Sequence, residues 1–284
     1  MSRALYGEDE LTSDEIRQWF ETPDATLLVA QLDDGRLGGY ADMVDHGAEH
    51  LRFPIDFRVP PGERGDEIGR ALLEAMEARA AELAAPTATV RLFVPSTYDL
   101  ARCLAEERGY EPFRHSFQMR LEFDAELPAP ECPQGISVRT FVPGQDDEAV
   151  YEAHMEAAAD GFEGSRWPYE NWRRWAFTES FDPTLWFLAE DGEEIAGLCL
   201  CRIEGQAGPE LGWVNWLGVR RPWRRRGVGR ALLLRGFAEL RAKGKRGVGL
   251  GVDGLSPTGA LHVYEQAGMH VARRFDLYEK PLTA

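Results

Sequence analysis

The residues best suited to chemistry lie in one arginine- and glycine-rich stretch, residues 217–230, which reads LGVRRPWRRRGVGR. A strand-like run ends in this stretch, and a helix-like run begins. The start of a helix offers unpaired backbone N–H groups and the positive end of the helix dipole, and glycine lets an anion approach the backbone closely. The stretch therefore predicts an anion-binding site. The alternative is a structural turn with a solvated basic patch, because glycine-rich turns before helices are common.

The elements that must position this stretch occur twice along the chain. The word GRALL stands at residues 69–73 and again at 229–233, each time after a loop that contains proline. In both halves an acidic, glycine-containing turn joins two strand-like runs before that loop, and a strand and a short helix follow GRALL. This order indicates a duplicated unit. The proline-rich segment 127–134 predicts a linker, which gives domains at 1–126 and 135–284.

Composition argues against several classes of function. The 284 residues include Lys+Arg 32 and Asp+Glu 48, a formal net charge of -16, so the overall field would repel a nucleic-acid backbone or an anionic membrane. The N-terminal residues lack the pattern of a secretory signal, and no apolar run reaches the ~18 residues of a membrane helix. These features favour a cytoplasmic protein. The histidines have no HExxH spacing, so no metal site is predicted.

The four cysteines, Cys103, Cys132, Cys199 and Cys201, form no CxxC pair. Cys199 and Cys201 lie two residues apart in a strand-like run, and successive side chains of a strand point to opposite faces, so these two share one face. We expect the cysteines to be core thiols rather than metal ligands.

Two motifs in the C-terminal half resemble the acetyl-CoA signature of the GNAT superfamily of N-acetyltransferases. The first is RRRGVG at residues 224–229, and the second is VDGLSPTGALHVYEQAGM at residues 252–269. The second is similar to the family's common VDxxNPTGAxxLYExxGF, with Ser256 for Asn, Val263 for Leu and Met269 for Phe. The doubled arrangement resembles tandem members such as mycothiol synthase. The resemblance implies an α/β (α+β) fold of two tandem domains, each a mixed, mostly antiparallel central sheet flanked by helices.

The resemblance also implies a CoA-dependent N-acyltransferase. It would use acetyl-CoA as co-substrate, need no metal, and transfer acetyl to a primary amine of a small molecule by direct attack in a ternary complex. The pantetheine arm would pair with the strand edge and the pyrophosphate would bind the loop, through Leu217, Gly218, Val219, Arg224, Arg225, Arg226, Gly227, Val228, Gly229, Arg230 and Ser256. A monomer or homodimer is expected. The alternative is an acyl-CoA-binding or interaction protein without efficient catalysis.

Catalytic residues are assigned on the same resemblance. Tyr264 occupies the place of the family's general acid, which protonates the departing thiolate, and the pKa values of a phenol and an alkylthiol are close enough for this transfer. A core aromatic residue is the alternative. The strand before the loop offers Asn215 but no carboxylate, and an amide cannot accept the proton. Glu210, at the strand start, and Asp253, after the next strand, are the candidate bases, and deprotonation through water stays open.

The segment 160–175, DGFEGSRWPYENWRRW, lies where relatives build the acceptor pocket. Aromatic side chains there would enclose a ligand, and carboxylates would attract a cationic amine. The candidates are Trp167, Tyr169, Trp172, Asp160 and Glu163. A hydrophobic helix cap is the alternative.

The N-terminal copy lacks the chemical groups of the C-terminal one. Aligning the two GRALL words places Glu67 opposite Gly227, so a carboxylate replaces a glycine where pyrophosphate should approach. Ala105 lies opposite Tyr264. We therefore predict a GNAT-like first domain that does not bind CoA productively. The alternative is that the arginines remaining in its loop still hold a phosphate.

Overall fold

The computed structural model describes residues 17, 25–45, 50–60, 62, 64–124, 127–162, 164, 166–205 and 208–282. The contacts divide the chain into two compact units. Unit 1 comprises Met1–Ser116 and Arg273–Ala284, and unit 2 comprises Phe117–Ala272. The sequence-based domains follow the order of the chain. The two units differ from these domains in two segments. The residues from Phe117 to the end of the first domain belong to unit 2, and Arg273–Ala284 belongs to unit 1.

In the part of the chain that the structure describes, unit 1 is a sheet with two helices. Its strands and helices are β1 (Ala25–Gln31), β2 (Leu37–Val44), β3 (Arg52–Arg58), α1 (Gly65–Leu83), β4 (Thr89–Pro95) and α2 (Asp99–Glu107). β1, β2 and β3 pair antiparallel, and β3 pairs parallel with β4. The next strand in the sheet is the end of β11 (His270–Pro281), which pairs antiparallel with β4 from Phe275↔Pro95 to Pro281↔Thr89. The core forms between the sheet and α1, where Phe53, Leu73 and Met76 are fully buried.

Unit 2 is a larger sheet with helices on both faces. Its elements are the end of β5 (Glu111–Glu122), β6 (Ile136–Thr140), α3 (Asp147–Ala158), α4 (Tyr169–Ala176), β7 (Trp186–Asp191), β8 (Glu194–Arg202), β9 (Leu211–Val219), α5 (Val228–Ala242), β10 (Gly247–Asp253) and α6 (Ala260–Gln266). The strand order is β5-β10-β9-β8-β7-β6. β6 to β9 pair antiparallel, whereas β9 and β10 are parallel.

The two faces of the unit 2 sheet carry separate apolar clusters. On one face, α5 contributes Leu232 and Phe237, both fully buried. On the other face, Trp172 of α4 packs with residues of α3 and β7. Because both faces are covered, β8 is buried continuously from Ile195 to Cys201 rather than alternating with exposed positions.

The hairpins and helices predicted in both halves are confirmed, and so is the shared face of two cysteines. The Sγ atoms of Cys199 and Cys201 lie 3.6 Å apart and both residues are buried. The expectation of core thiols is wrong for Cys103 and Cys132, which are exposed. Cys103 lies on the outer side of the short helix α2, and Cys132 lies in the proline-rich segment, which has no regular structure. Within the described ranges, no helix has the length and apolar character to cross a membrane.

Candidate active site

The site begins where β9 and β10 separate. Their paired residues run from Gly247↔Leu211 to Gly249↔Trp213, although β9 continues to Val219 and β10 to Asp253. A bulge at Asn215 accompanies the separation, since Trp216 pairs with Leu200 while Val214 pairs with the next residue of β8. Among the described residues, the end of β9 therefore has a strand partner on its β8 side only. We call the space on its other side the β9–β10 gap.

The backbone of β9 presents hydrogen-bonding groups to this gap. The N–H of Arg220 donates to the carbonyl of Ala196 at 2.9 Å, on the β8 side. Backbone groups of successive strand residues point to alternate sides, so those of Val219 and Leu217 face the gap. An extended amide chain can pair with such an edge in the manner of an added strand.

The loop after β9 leads to a row of unpaired backbone N–H groups. Gly227, the residue before α5, has φ 85, and Arg225 has φ 59, so two left-handed residues turn the chain into the helix. The N–H of Ala231 is bonded back to Gly227 at 3.1 Å. For residues 225–230, no hydrogen bond of the backbone N–H groups to other described residues is formed. These groups make an anion-binding site at a helix start.

The arginines of the loop fall into two groups. Arg224 and Arg226 contact acids, with Arg224 NH1 2.5 Å from Asp160 Oδ2 and Arg226 NH1 3.6 Å from Asp191 Oδ2. Arg225 and Arg230 have no acidic partner among the residues that the structure describes. The second pair is therefore available to an added anion without breaking an ion pair.

Asp160, predicted to attract an amine, faces the loop instead. It accepts hydrogen bonds from Arg224 and from Arg221, whose Nε lies 2.8 Å from Asp160 Oδ2. These two guanidinium groups hold the pKa of the Asp160 carboxyl well below its usual range. Asp160 is therefore ionised and already paired.

Tyr264 lies on α6, in the apolar cluster beneath α5, and only 6% of it is exposed. Burial raises the pKa of its hydroxyl, with a smaller contribution from nearby Cys199. The hydroxyl forms no hydrogen bond with any described residue. It is a protonated phenol with its donor unused, as a general acid must be before transfer.

The two candidate bases differ in position. Glu210 precedes β9, and at ~3.3 Å per residue it lies about 23 Å along the strand from Leu217, at the opposite end of the sheet. It is exposed, and its Oε2 lies 3.3 Å from Arg246 Nε. Asp253 ends β10, which runs parallel to β9, so it lies at the same end as the gap. Its Oδ1 accepts the N–H of Leu255 at 3.1 Å, which also fits the turn-cap alternative.

Ser256 lies in the turn after β10 and bonds locally. Its Oγ is 2.8 Å from Thr258 Oγ1, and its N–H donates to the carbonyl of Asp253 at 3.1 Å. The hydroxyl is thus part of the turn that leads into α6.

The aromatic residues predicted for the acceptor pocket lie on the face of α3 and α4. Trp172 is buried with its ring stacked on Tyr169, at 5.9 Å between centroids. Trp167 is 40% exposed and meets Trp175 edge-on. Glu163 lies outside the described residues. The structure therefore separates the candidates into a buried support, Trp172, and a surface aromatic, Trp167.

Two residues of this face were missed by the sequence reasoning, His154 of α3 and Trp216 of β9. The His154 and Trp216 rings lie 4.3 Å apart between centroids, tilted by 32°, and His154 Nδ1 accepts the indole N–H of Trp172 at 3.0 Å. Burial lowers the pKa of His154 to about 3, so the ring is neutral. The Trp216 indole lies against Gly218, two residues later in β9. A Cβ added at Gly218 would lie 2.8 Å from the indole Nε1. The available sequence signal was the alternation of side chains along β9, which places Trp216 and Leu217 on opposite faces of the sheet.

The corresponding place in unit 1 is filled. Val59 follows β3 as Val219 ends β9, and its N–H and carbonyl both bond the hydroxyl of Tyr98, at 3.0 and 3.1 Å. At the start of α1, Arg64 pairs with Glu67, its NH2 lying 2.8 Å from Oε1. Unit 1 thus occupies both backbone groups of Val59 with one tyrosine hydroxyl, whereas in unit 2 the carbonyl of Val219 receives the Nε–H of Arg224 at 2.8 Å.

Comparison with known proteins identifies this arrangement. The model of the acetyltransferase (GNAT) family matches residues 2–110 and again residues 148–269. A mycothiol acetyltransferase of Thermobispora bispora is 37% identical over 214 residues, which cover 74% of this chain and 70% of the relative. The chain belongs to the GNAT family. It is an N-acetyltransferase whose co-substrate is acetyl-CoA and whose acceptor is of the amine type.

Solved structures of GNAT proteins agree with the doubled fold. The crystal structure of a GCN5-related N-acetyltransferase from Sphaerobacter thermophilus is 35% identical, with a TM-score of 0.81 over 99% of this chain and 90% of that one. A tandem GNAT protein from the clavulanic acid biosynthesis pathway is 19% identical, with a TM-score of 0.70 over 92% and 85%, and shows likeness of fold alone. The predicted resemblance to tandem GNAT proteins is therefore confirmed.

Proposed function

We propose that this chain binds acetyl-CoA in the β9–β10 gap of unit 2 and transfers the acetyl group to a primary amine of a small molecule. One observation carries the assignment of the site: the unpartnered edge of β9 leads directly to the unpaired N–H groups of residues 225–230. The pantetheine amides would pair with Leu217 and Val219. The pyrophosphate would bind the N–H groups at the start of α5, with Arg225 and Arg230 adding charge.

Tyr264 acts as the general acid in this proposal. The amine nitrogen attacks the thioester carbon, the carbon–sulfur bond breaks, and the hydroxyl proton of Tyr264 passes to the leaving sulfur. Its unused hydroxyl supports the role, because the phenol is protonated and its donor is available to the leaving thiolate. Asp253, at the gap end of β10, is the better placed of the two carboxylates to accept the amine proton, directly or through water. Glu210 lies too far along β9.

The acceptor is a small molecule that enters from the face of α3 and α4. Relatives at 37% and 34% identity carry the name mycothiol acetyltransferase, which points to an acceptor of that size. Trp167 and Tyr169 offer aromatic surface on that face, and Trp216, supported by His154, lies between α3 and the end of β9. Aromatic surfaces of this kind bind cations and the C–H faces of ligands.

Unit 1 binds no acetyl-CoA in this proposal. Tyr98 occupies both backbone groups of Val59, and Glu67 occupies Arg64. The chain should therefore bind one acetyl-CoA.

The test combines titration calorimetry with turnover. Acetyl-CoA is titrated into the whole chain, and free thiol is then followed with a panel of small amines. We expect one site per chain and amine-dependent thiol release. Two equivalent sites would contradict the assignment of unit 1, and binding without release for any amine would contradict the proposed catalysis.

A further inference from the structure

Asp160 and Arg221 are the residues near the loop that the family motif does not explain. Asp160 follows the end of α3, and Arg221 begins the one-turn helix Arg221–Trp223 after β9. The Asp160 carboxylate receives hydrogen bonds from both Arg221 and Arg224, the latter also donating Nε–H to the carbonyl of Val219 at 2.8 Å. One carboxylate thus holds two guanidinium groups at the end of the β9 edge.

The position is a poor one for a carboxylate unless cations are supplied. The C-terminal end of a helix carries the negative end of its dipole, which disfavours a nearby anion. The carbonyl of Ala157 points to this end and lies 3.5 Å from Arg224 NH2. Asp160 therefore depends on Arg221 and Arg224 for its charge, whereas the two arginines would gain as much from any other anion placed beside them.

We propose that Arg221 and Arg224 bind the pyrophosphate of acetyl-CoA, and that Asp160 holds both arginines until the phosphate oxygens replace it. The inference rests on the proposed function, because it needs acetyl-CoA in the β9–β10 gap. Arg221 is thereby added to the phosphate-binding residues, and Asp160 is a positioning residue that competes with the co-substrate. Breaking the ion pairs of Asp160 with Arg221 and Arg224 therefore lowers the net affinity for the pyrophosphate.

The test compares three ligands: acetyl-CoA, dephospho-acetyl-CoA, which keeps the pyrophosphate, and S-acetyl-pantetheine, which has no phosphate. In Asp160→Asn the size is kept and the charge is lost, so we expect the dissociation constants of the two pyrophosphate ligands to fall about threefold to fivefold. In Arg221→Gln they should rise about fivefold to tenfold. The dissociation constant of S-acetyl-pantetheine should stay unchanged in both variants.

Asp191→Asn is the matched control, since Asp191 pairs with Arg226 of the same loop at a longer 3.6 Å. It removes the same charge, and we expect less than a twofold change. The inference is overturned if Asp160→Asn binds acetyl-CoA no more tightly than the parent, or if Arg221→Gln binds it equally well. Equal changes for S-acetyl-pantetheine would show a structural role instead. If the parent chain binds none of the three ligands, the proposed function itself has failed.

Discussion

The two copies of the strand–loop–helix element differ in what meets the backbone at the end of the strand. At the end of β9, the backbone faces an open gap. At the end of β3, the equivalent backbone groups of Val59 are bonded to Tyr98. Tyr98 comes from the turn between β4 and α2, and the residue opposite it in unit 2 is Pro257, whose ring has no hydrogen-bonding group. The carbonyl at the strand end thus accepts a tyrosine hydroxyl in unit 1 and the Arg224 guanidinium in unit 2.

The loops that precede α1 and α5 also lead into helix starts of different charge. The first turn of α1 carries Asp66 and Glu67, whereas the first turn of α5 carries no acid. Acidic side chains in the first turn interact favourably with the positive end of the helix dipole, so no bound anion is needed there. Unit 1 thus supplies its own anion at the place where unit 2 would take one from solution. Internal groups of unit 1 thus take the places that a bound anion and an added strand would occupy.

The largest effect is expected from placing the residue of unit 1 into unit 2. Gly227→Glu puts a carboxylate and a Cβ where pyrophosphate should approach, so the affinity for acetyl-CoA should fall about tenfold to a thousandfold. Calorimetry measures it. Gly227→Ala separates the effect of the charge from that of the strain at φ 85, and Glu67→Gly, the reverse change in unit 1, should leave the affinity for acetyl-CoA unchanged. Unchanged affinity in a folded Gly227→Glu chain would contradict the loop assignment.

Tyr264→Phe should lower kcat about a hundredfold or more with the dissociation constant of acetyl-CoA nearly unchanged, because the ring packing stays and the acid is lost. Stopped-time assays of thiol release give kcat. A fall of less than about threefold, with chemistry rate-limiting, would make Tyr264 a core residue only. Tyr98→Phe, which removes a buried tyrosine hydroxyl from unit 1, should leave kcat at the parent value.

Tyr98→Phe should instead lower the free energy of unfolding by about 1 to 3 kcal/mol, since it leaves the N–H and carbonyl of Val59 buried without their partner. Urea denaturation followed by circular dichroism measures the change. A stability equal to that of the parent chain would mean that water replaces the hydroxyl, and that Tyr98 does not close the edge of β3.

The smallest effect concerns pH, and its sign differs between the units. The pKa of His154 is about 3 in the folded chain and ~6.5 when unfolded, so unit 2 loses stability as the pH falls from 6.5 towards 3, by on the order of 1 kcal/mol at pH 5.5. Burial and the neighbouring Asp56 raise the pKa of Asp42 to about 7, so this group stabilises unit 1 as the pH falls from 7. Hydrogen exchange at pH 7.5 and 5.5 should show unit 2 losing protection first. His154→Gln should reduce that loss.

The sequence predicted what depends on local pattern. The hairpins, the GRALL helices and the glycine-rich turn all lie within a few residues of the signals that specify them. The hydrogen bonds of Tyr98 to Val59 at the end of β3 could not be predicted from the sequence. The two residues are 39 positions apart, and a tyrosine before a helix has many possible neighbours. The pairing of Asp160 with Arg221, 61 residues apart, was missed for the same reason, and the carboxylate was assigned to the amine.

The pairing of β4 with β11 sets a condition on synthesis of the chain. Thr89 pairs with Pro281, which lies in the second half of the chain. A ribosome delivers residues from the N-terminus onward, so both halves must emerge before this edge of β4 receives its partner. Until then the nascent first half presents an uncovered strand edge, the kind of surface on which chains aggregate. A chain that reaches Pro281, rather than the first half alone, is therefore needed for unit 1 to finish folding.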